Sequence, residues 1–164
     1  MIISRDKKLL CPPFVKVLLE FEQRIKVREL PFYLFMGLRT FEDQDELYAQ
    51  GRTKTGKIVT NARGGDSFHN YGLAADYVLD GQLDKPGTQW SWDIRADLDE
   101  NGTNDWLQMA NIAQACGLEA GYFWKRFPDA PHVQMSFGFT LQEIKEIYRS
   151  GSMLDVWKAC EEAA

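Results

Sequence analysis

Short apolar stretches of strand length alternate along this chain with amphipathic helical segments, and that alternation constrains the fold more than any other feature of the sequence. Pro12 and Pro13 suit a first helical turn, and Phe14, Val17, Leu18, Phe21 and Ile25 then recur at helical spacing, predicting an amphipathic helix to about Arg28. Pro31 ends it. The run Phe32 to Leu38 reads as a buried strand, after which Thr40 caps a helix through Leu47 and Tyr48 that stops at Gly51. Further strands are expected from Leu73 to Leu79 and from Pro131 to Phe137, with a helix from Trp106 to Cys116, closed by Gly117, between them. Thr140-Leu-Gln-Glu143 is a capping box ahead of Ile144, Ile147 and Tyr148, and Ser152 with Asp155 opens a last short helix carrying Val156, Trp157 and Cys160. Helices interleaved with short strands imply an α+β protein, a small antiparallel sheet flanked by helices. With 164 residues, 45% of them hydrophobic, and no repeat or linker, a single domain over residues 1–164 is expected.

A formal net charge of -5 argues against a nucleic-acid partner, because binding phosphates calls for a basic face. The N-terminal stretch MIISRDKKLLCPPF meets charged residues too early to form a signal peptide, and no later run is long enough to span a bilayer. A soluble chain made in the cytosol, a monomer without membrane insertion, is the expectation. Cys11, Cys116 and Cys160 are odd in number and widely spaced, which fits core thiols better than a disulfide framework or a cysteine metal site.

Only two histidines occur, His69 and His132, each at the edge of an expected strand and near a carboxylate. Strand alternation places Leu73, Ala75, Tyr77 and Leu79 on one face and Asp76 on the other with Ala74 and Val78. In the second strand, Val133, Met135 and Phe137 oppose His132, Gln134 and Ser136. Catalytic zinc takes three nitrogen or oxygen ligands and leaves a position open for water, a requirement that His69, Asp76 and His132 meet. Gly72 permits a sharp turn after His69, and Pro131 fixes an extended approach to His132. Asp129, just before His132, is the nearest candidate for a general base, and Arg39, at the exit of the first strand, could hold an oxyanion or a substrate carboxylate. The alternative on residue pattern alone is two core or surface histidines with unrelated acidic neighbours.

Ser67-Phe-His-Asn-Tyr-Gly-Leu-Ala-Ala-Asp76 resembles the SxHxxGxAxD motif of the D-alanyl-D-alanine carboxypeptidase and L-alanyl-D-glutamate endopeptidase family of zinc peptidases, related to hedgehog domains. Gly37-Leu-Arg-Thr40, Gln44, Leu47 to Thr53, Gly56 to Ala62 and Asp129-Ala-Pro-His132 are similar to its cell-wall endopeptidase branch, which includes phage endolysins. The resemblance implies zinc at His69, Asp76 and His132, Asp129 as catalytic base, Arg39 near the substrate, and Gln44 and Ser67 as supporting substrate-binding residues. It also implies a zinc peptidase domain with no separate cell-wall-binding domain, a peptidoglycan hydrolase cutting between L-alanine and D-glutamate, with a D,D-carboxypeptidase as the alternative and a catalytically silent zinc-containing binding module as a reading of another class. With no export signal and a substrate outside the membrane, an endolysin released through a holin is the implied biology. Ala120-Gly-Tyr-Phe-Trp124 departs from the Trp-Gly-Gly-Asp-Trp stretch common in related endolysins.

Two other motifs invite a ligand. Gly51-Arg-Thr-Lys-Thr-Gly-Lys57 follows phosphate-loop spacing, but Ile58 stands where a hydroxyl should meet magnesium, and a helix rather than a strand precedes it. Asp97, Asp99, Asn101, Thr103 and Asp105 fall at calcium-loop positions around Gly102, although Gln108 replaces the closing glutamate; the alternative is a polar turn in which Asp105 caps the next helix. Trp90, Trp92, Trp106, Tyr122, Phe123 and Trp124 could line a sugar- or peptide-binding rim or fill the core.

Overall fold

A computed structural model describes residues 4–80, 90–98 and 100–164. The elements, in chain order, are α1 (Pro12–Val27), β1 (Phe32–Met36), α2 (Phe41–Ala49), β2 (Ala74–Asp80), β3 (Trp90–Ser91), α3 (Asp105–Ala115), β4 (Glu119–Ala120), β5 (His132–Gln134), α4 (Leu141–Ser150) and α5 (Met153–Ala163), with short 3-10 turns at Lys7–Leu9, Phe68–Tyr71 and Gly121–Phe123. This is the expected α+β class. Among the described residues the strands form one sheet in the order β1-β2-β5-β4, with β3 also pairing with β2. β3 runs antiparallel to β2 with Asp80 opposite Trp90, and β4 runs antiparallel to β5 with Glu119 opposite Gln134.

Chain contacts group into two compact units, residues 1–13, 36–74 and 136–164 in one and residues 14–35 and 75–135 in the other, with divisions that fall inside α1, β1 and β2. The second unit holds nearly all of the sheet. There α1 buries Phe14, Leu18, Phe21 and Ile25, the stripe read from its spacing. Phe21 meets Tyr77 of β2 edge-on at 5.2 Å, and Phe32 of β1 meets Trp106 of α3 at 4.9 Å. In the first unit, Phe41, Tyr71 and Tyr148 stack mutually, and the Trp157 indole of α5 donates to the Tyr71 carbonyl at 2.9 Å. Thr140 and Glu143 complete the capping box, which is why α4 starts where it does. Cys11 and Cys160 are both buried here and share a hydrogen bond, which with burial pushes the Cys160 thiol up; Cys116, expected in the core, is only half-buried.

Differences from the sequence expectation lie in the strands. β5 stops at Gln134, and Phe137 adopts a left-handed φ of 53°, so it cannot continue the face of Val133 as the alternation predicted. Ala74 and Val78 are as buried as the opposite face of β2, so that strand has no polar side, and only Asp76 along it reaches partial exposure. The two-residue strands β3 and β4 carry no period that a sequence could display.

Candidate metal centre

His69 sits in the 3-10 turn Phe68–Tyr71, where the Ser67 hydroxyl accepts from the His69 amide at 3.3 Å and Gly72, at φ 70°, ends the turn. A side chain on Gly72 would stand 3.1 Å from the Leu9 carbonyl oxygen, so both its conformation and its space require glycine. The His69 imidazole is 2% exposed, and its Nδ1 lies 2.8 Å from the Gly37 carbonyl oxygen. A carbonyl can only accept, so Nδ1 carries the proton and Nε2 keeps its lone pair. The strand exit is tied to this turn: the Arg39 amide donates to the His69 carbonyl at 3.1 Å, and Asn70 donates to the Arg39 and Thr40 carbonyls at 2.9 and 3.1 Å.

Asp76 lies mid-way along β2 and His132 opens β5. Their side chains face each other, His132 Nδ1 to Asp76 Oδ1 at 3.2 Å, while His132 Nε2 lies 2.9 Å from Gln134 Oε1. Burial, the largest single influence, pulls the His132 pKa down. The hydrogen bond and charge of Asp76, the charge of Asp129 and the hydrogen bond of Gln134 outweigh it, and the net shift is upward. One ligand atom from each of His69, Asp76 and His132 lies within 4.8 Å of the others, the one such group found among the described residues. Two imidazoles with a nitrogen tied elsewhere, and a carboxylate shielded from bulk water, form a donor set that a divalent metal such as zinc fits.

Asp129 is half-buried and anchored at both backbone ends: its amide donates to the Gly121 carbonyl at 3.0 Å, and its carbonyl accepts from the His132 amide at 3.1 Å. Arg39 is 9% exposed, its Nη1 donating to Gln44 Oε1 at 2.8 Å and its Nε to Met36 Sδ at 3.3 Å. Gln44 is fully buried, and its amide donates to the Ala62 carbonyl at 2.8 Å and the Thr60 hydroxyl at 3.3 Å. Its side chain therefore holds Arg39 to the loop of residues 51–66 that follows α2, and the Ser67 hydroxyl turns toward the His69 amide. The loop is further pinned by Arg52, which donates to the Tyr48 and Thr60 carbonyls at 2.7 and 3.0 Å. Alternation set Gln134 beside His132 without giving it a role; Asn70 and Glu119 left no signal in the sequence.

The calcium-spaced segment is a closed polar loop. Asp97 accepts from the Asn101 and Gly102 amides at 3.2 and 3.0 Å, and Asn101 accepts from the Thr103 amide at 2.8 Å. Asp99 lies outside the described residues. Asp105 is buried and accepts from the Leu98 amide at 2.9 Å, and Asn104, not Asp105, caps α3 by accepting from the Leu107 amide. A sequence offers both residues as caps, and the register of the first helical turn selects Asn104. The aromatics divide: Trp106 is core, Trp90 and Trp92 stand exposed around Phe35, and the Trp124 ring lies 5.0 Å from that of His132.

The fold and this cluster define an α+β protein with a two-histidine, one-carboxylate group that could hold a metal ion. A family model described as D-alanyl-D-alanine carboxypeptidase matches residues 60–135, the segment holding His69, Asp76 and His132. The peptidoglycan L-alanyl-D-glutamate endopeptidase CwlK of Bacillus subtilis (strain 168) is 52% identical over 99 residues, which cover 60% of this chain and 57% of that protein. This chain thus matches little more than half the length of that relative. Among solved structures, the Serratia marcescens L-Ala D-Glu endopeptidase ChiX aligns over 80% of this chain and 84% of its own with a TM-score of 0.50 and 26% identity. The LD-carboxypeptidase LdcB aligns over 94% and 80% with a TM-score of 0.55; at 21% identity that likeness concerns the fold.

Proposed function

We propose that this chain is a zinc-dependent peptidoglycan hydrolase that cleaves the stem-peptide amide between L-alanine and D-glutamate. The observation that carries the reading is the clustering of His69, Asp76 and His132, with ligand atoms within 4.8 Å of one another, in a segment matched by a peptidase family. The activity named for the Bacillus relative supports the choice of bond. His69, Asp76 and His132 would hold a zinc ion, which would supply Lewis-acid polarisation of the scissile carbonyl and activation of a water. Asp129 takes the proton from the attacking water and passes it to the leaving amine as the C–N bond breaks. Its backbone bonds to Gly121 and His132 hold it beside the ligand strand. Arg39, clamped by Gln44 and joined through its amide to the His69 turn, presents charge to a substrate carboxylate or to the developing oxyanion.

Digestion of purified peptidoglycan followed by mass spectrometry tests this. Fragments with a new N-terminal D-glutamate are expected; loss of a terminal D-alanine instead establishes the D,D-carboxypeptidase alternative, and intact stems establish a zinc-containing binding module. The proposal extends to a single catalytic domain acting as a monomer and, as an endolysin, reaching the wall after holin-dependent release from a host cytoplasm. Among the described residues no helix is long and apolar enough to cross a membrane. Calcium at Asp97, Asp99, Asn101, Thr103 and Asp105 is a separate proposal that rests on the spacing of these residues; a calorimetric titration without heat removes it.

A further inference from the structure

The hydrogen bonds around His132 continue past Gln134. Gln134 Nε2 donates to Glu119 Oε2 at 2.9 Å, and Glu119 Oε1 accepts from Trp124 Nε1 at 2.5 Å. The pairing of β4 with β5 sets Glu119 directly opposite Gln134, and the two-residue period of β5 places Gln134 on the face of His132. A carboxylate only accepts, so Glu119 fixes which end of the Gln134 amide faces it. That leaves Oε1, an acceptor, against His132 Nε2, which must then be the donor. If the amide turned over, it would offer N–H to Nε2 and drive the ring proton to Nδ1, the atom that faces Asp76 Oδ1. The indole that steadies Glu119 also lies against the ring being steadied, its centre 5.0 Å from that of His132.

We propose that Trp124, Glu119 and Gln134 form a positioning relay that holds the proton of His132 on Nε2 and so presents Nδ1 to the metal. None of the three need touch the ion or the substrate; they act through His132. The inference rests on the zinc reading above and deepens it by assigning the ligating nitrogen and the residues that select it.

Zinc affinity measured by chelator competition, together with the imidazole ¹⁵N spectrum of the zinc-loaded protein, tests the relay without relying on turnover. In the wild type, His132 should show metal on Nδ1 and a protonated Nε2. Gln134→Leu should weaken zinc binding by about 10- to 100-fold, the usual consequence of removing a ligand's hydrogen-bond partner. Glu119→Gln, at an exposed position where folding is not at stake, should weaken it in the same direction because one acceptor cannot serve both Trp124 and Gln134. The double variant Glu119→Gln with Gln134→Glu keeps every donor opposite an acceptor and should restore most of the affinity, which a merely structural role would not do. Metal on Nε2, or folded Gln134→Leu and Glu119→Gln proteins that bind zinc as tightly as the wild type, overturns the relay alone. A wild-type protein that takes up no zinc overturns the zinc reading and the relay with it.

Discussion

Gly121 has no room for a side chain, and the atoms it would strike belong to the proposed base and its neighbouring ligand. A Cβ there would lie 2.5 Å from the Asp129 carbonyl oxygen, 3.1 Å from His132 Cβ and 3.2 Å from Asp129 Cβ. Ordinary contact begins at 3.4 Å, so in Gly121→Ala the Asp129 carbonyl must retreat by 3.4 − 2.5 = 0.9 Å. No flexible side-chain end can absorb this, because the obstacle is backbone that also accepts from the His132 amide. Overpacking of this kind costs about 1–3 kcal/mol, and each kcal/mol lowers Tm by about 2–4 °C in a protein of this size. A displacement of roughly 1 Å at a catalytic group costs about 100-fold in rate, so kcat should fall by about two orders of magnitude, well beyond what the melting shift explains. The assay is release of free amines from purified peptidoglycan, with Tm by scanning calorimetry and zinc content by atomic absorption. A Gly121→Ala protein with wild-type kcat and Tm would show that the Asp129 loop is not held by this contact.

Asp129→Ala should abolish turnover and leave zinc bound, while His69→Ala should lose both; metal analysis beside the activity assay separates them, and an active Asp129→Ala protein refutes the base assignment. Burial, then the charge of Glu22 and the hydrogen bond donated to it, hold the Tyr77 phenol well above 10.0, and burial pushes Tyr71 up to about 12. Because both folded-state values exceed the unfolded one, their contribution is complete below about pH 10 and is lost as pH rises through the folded values. Thermal melts should therefore fall progressively above about pH 10, less steeply in Tyr77→Phe; equal slopes in the two proteins contradict the assignment. Thr140→Ala removes the hydroxyl that caps α4 and should cost about 0.5–2 kcal/mol in a urea melt, with the peptidase rate unchanged.

Local rules made much of this protein legible in its amino-acid order. The helical period of Phe14, Leu18, Phe21 and Ile25, the capping box at Thr140 and the glycine that closes the His69 turn each depend on neighbours within a few residues, and each stands where that logic places it. The metal set was legible because histidine is so scarce here and because the motif from Ser67 to Asp76 compresses two ligands and their turn into one short run. Strand limits were less so: β5 ends at Gln134, short of the Phe137 that alternation included, and β3 and β4 are too short to show a period.

The sequence by itself determined the class of fold, the three candidate ligands and the placement of Asp129 beside His132. Tertiary structure alone decided the rest. It set Gln44 as a buried strut between Arg39 and the loop, gave Asn104 the helix cap, and brought Glu119 and Trp124 to His132 through strand pairing and a 3-10 turn. A periodic pattern records which face of one element is apolar. It carries no record of which residue on another strand will stand opposite, because register is fixed only when both strands are packed.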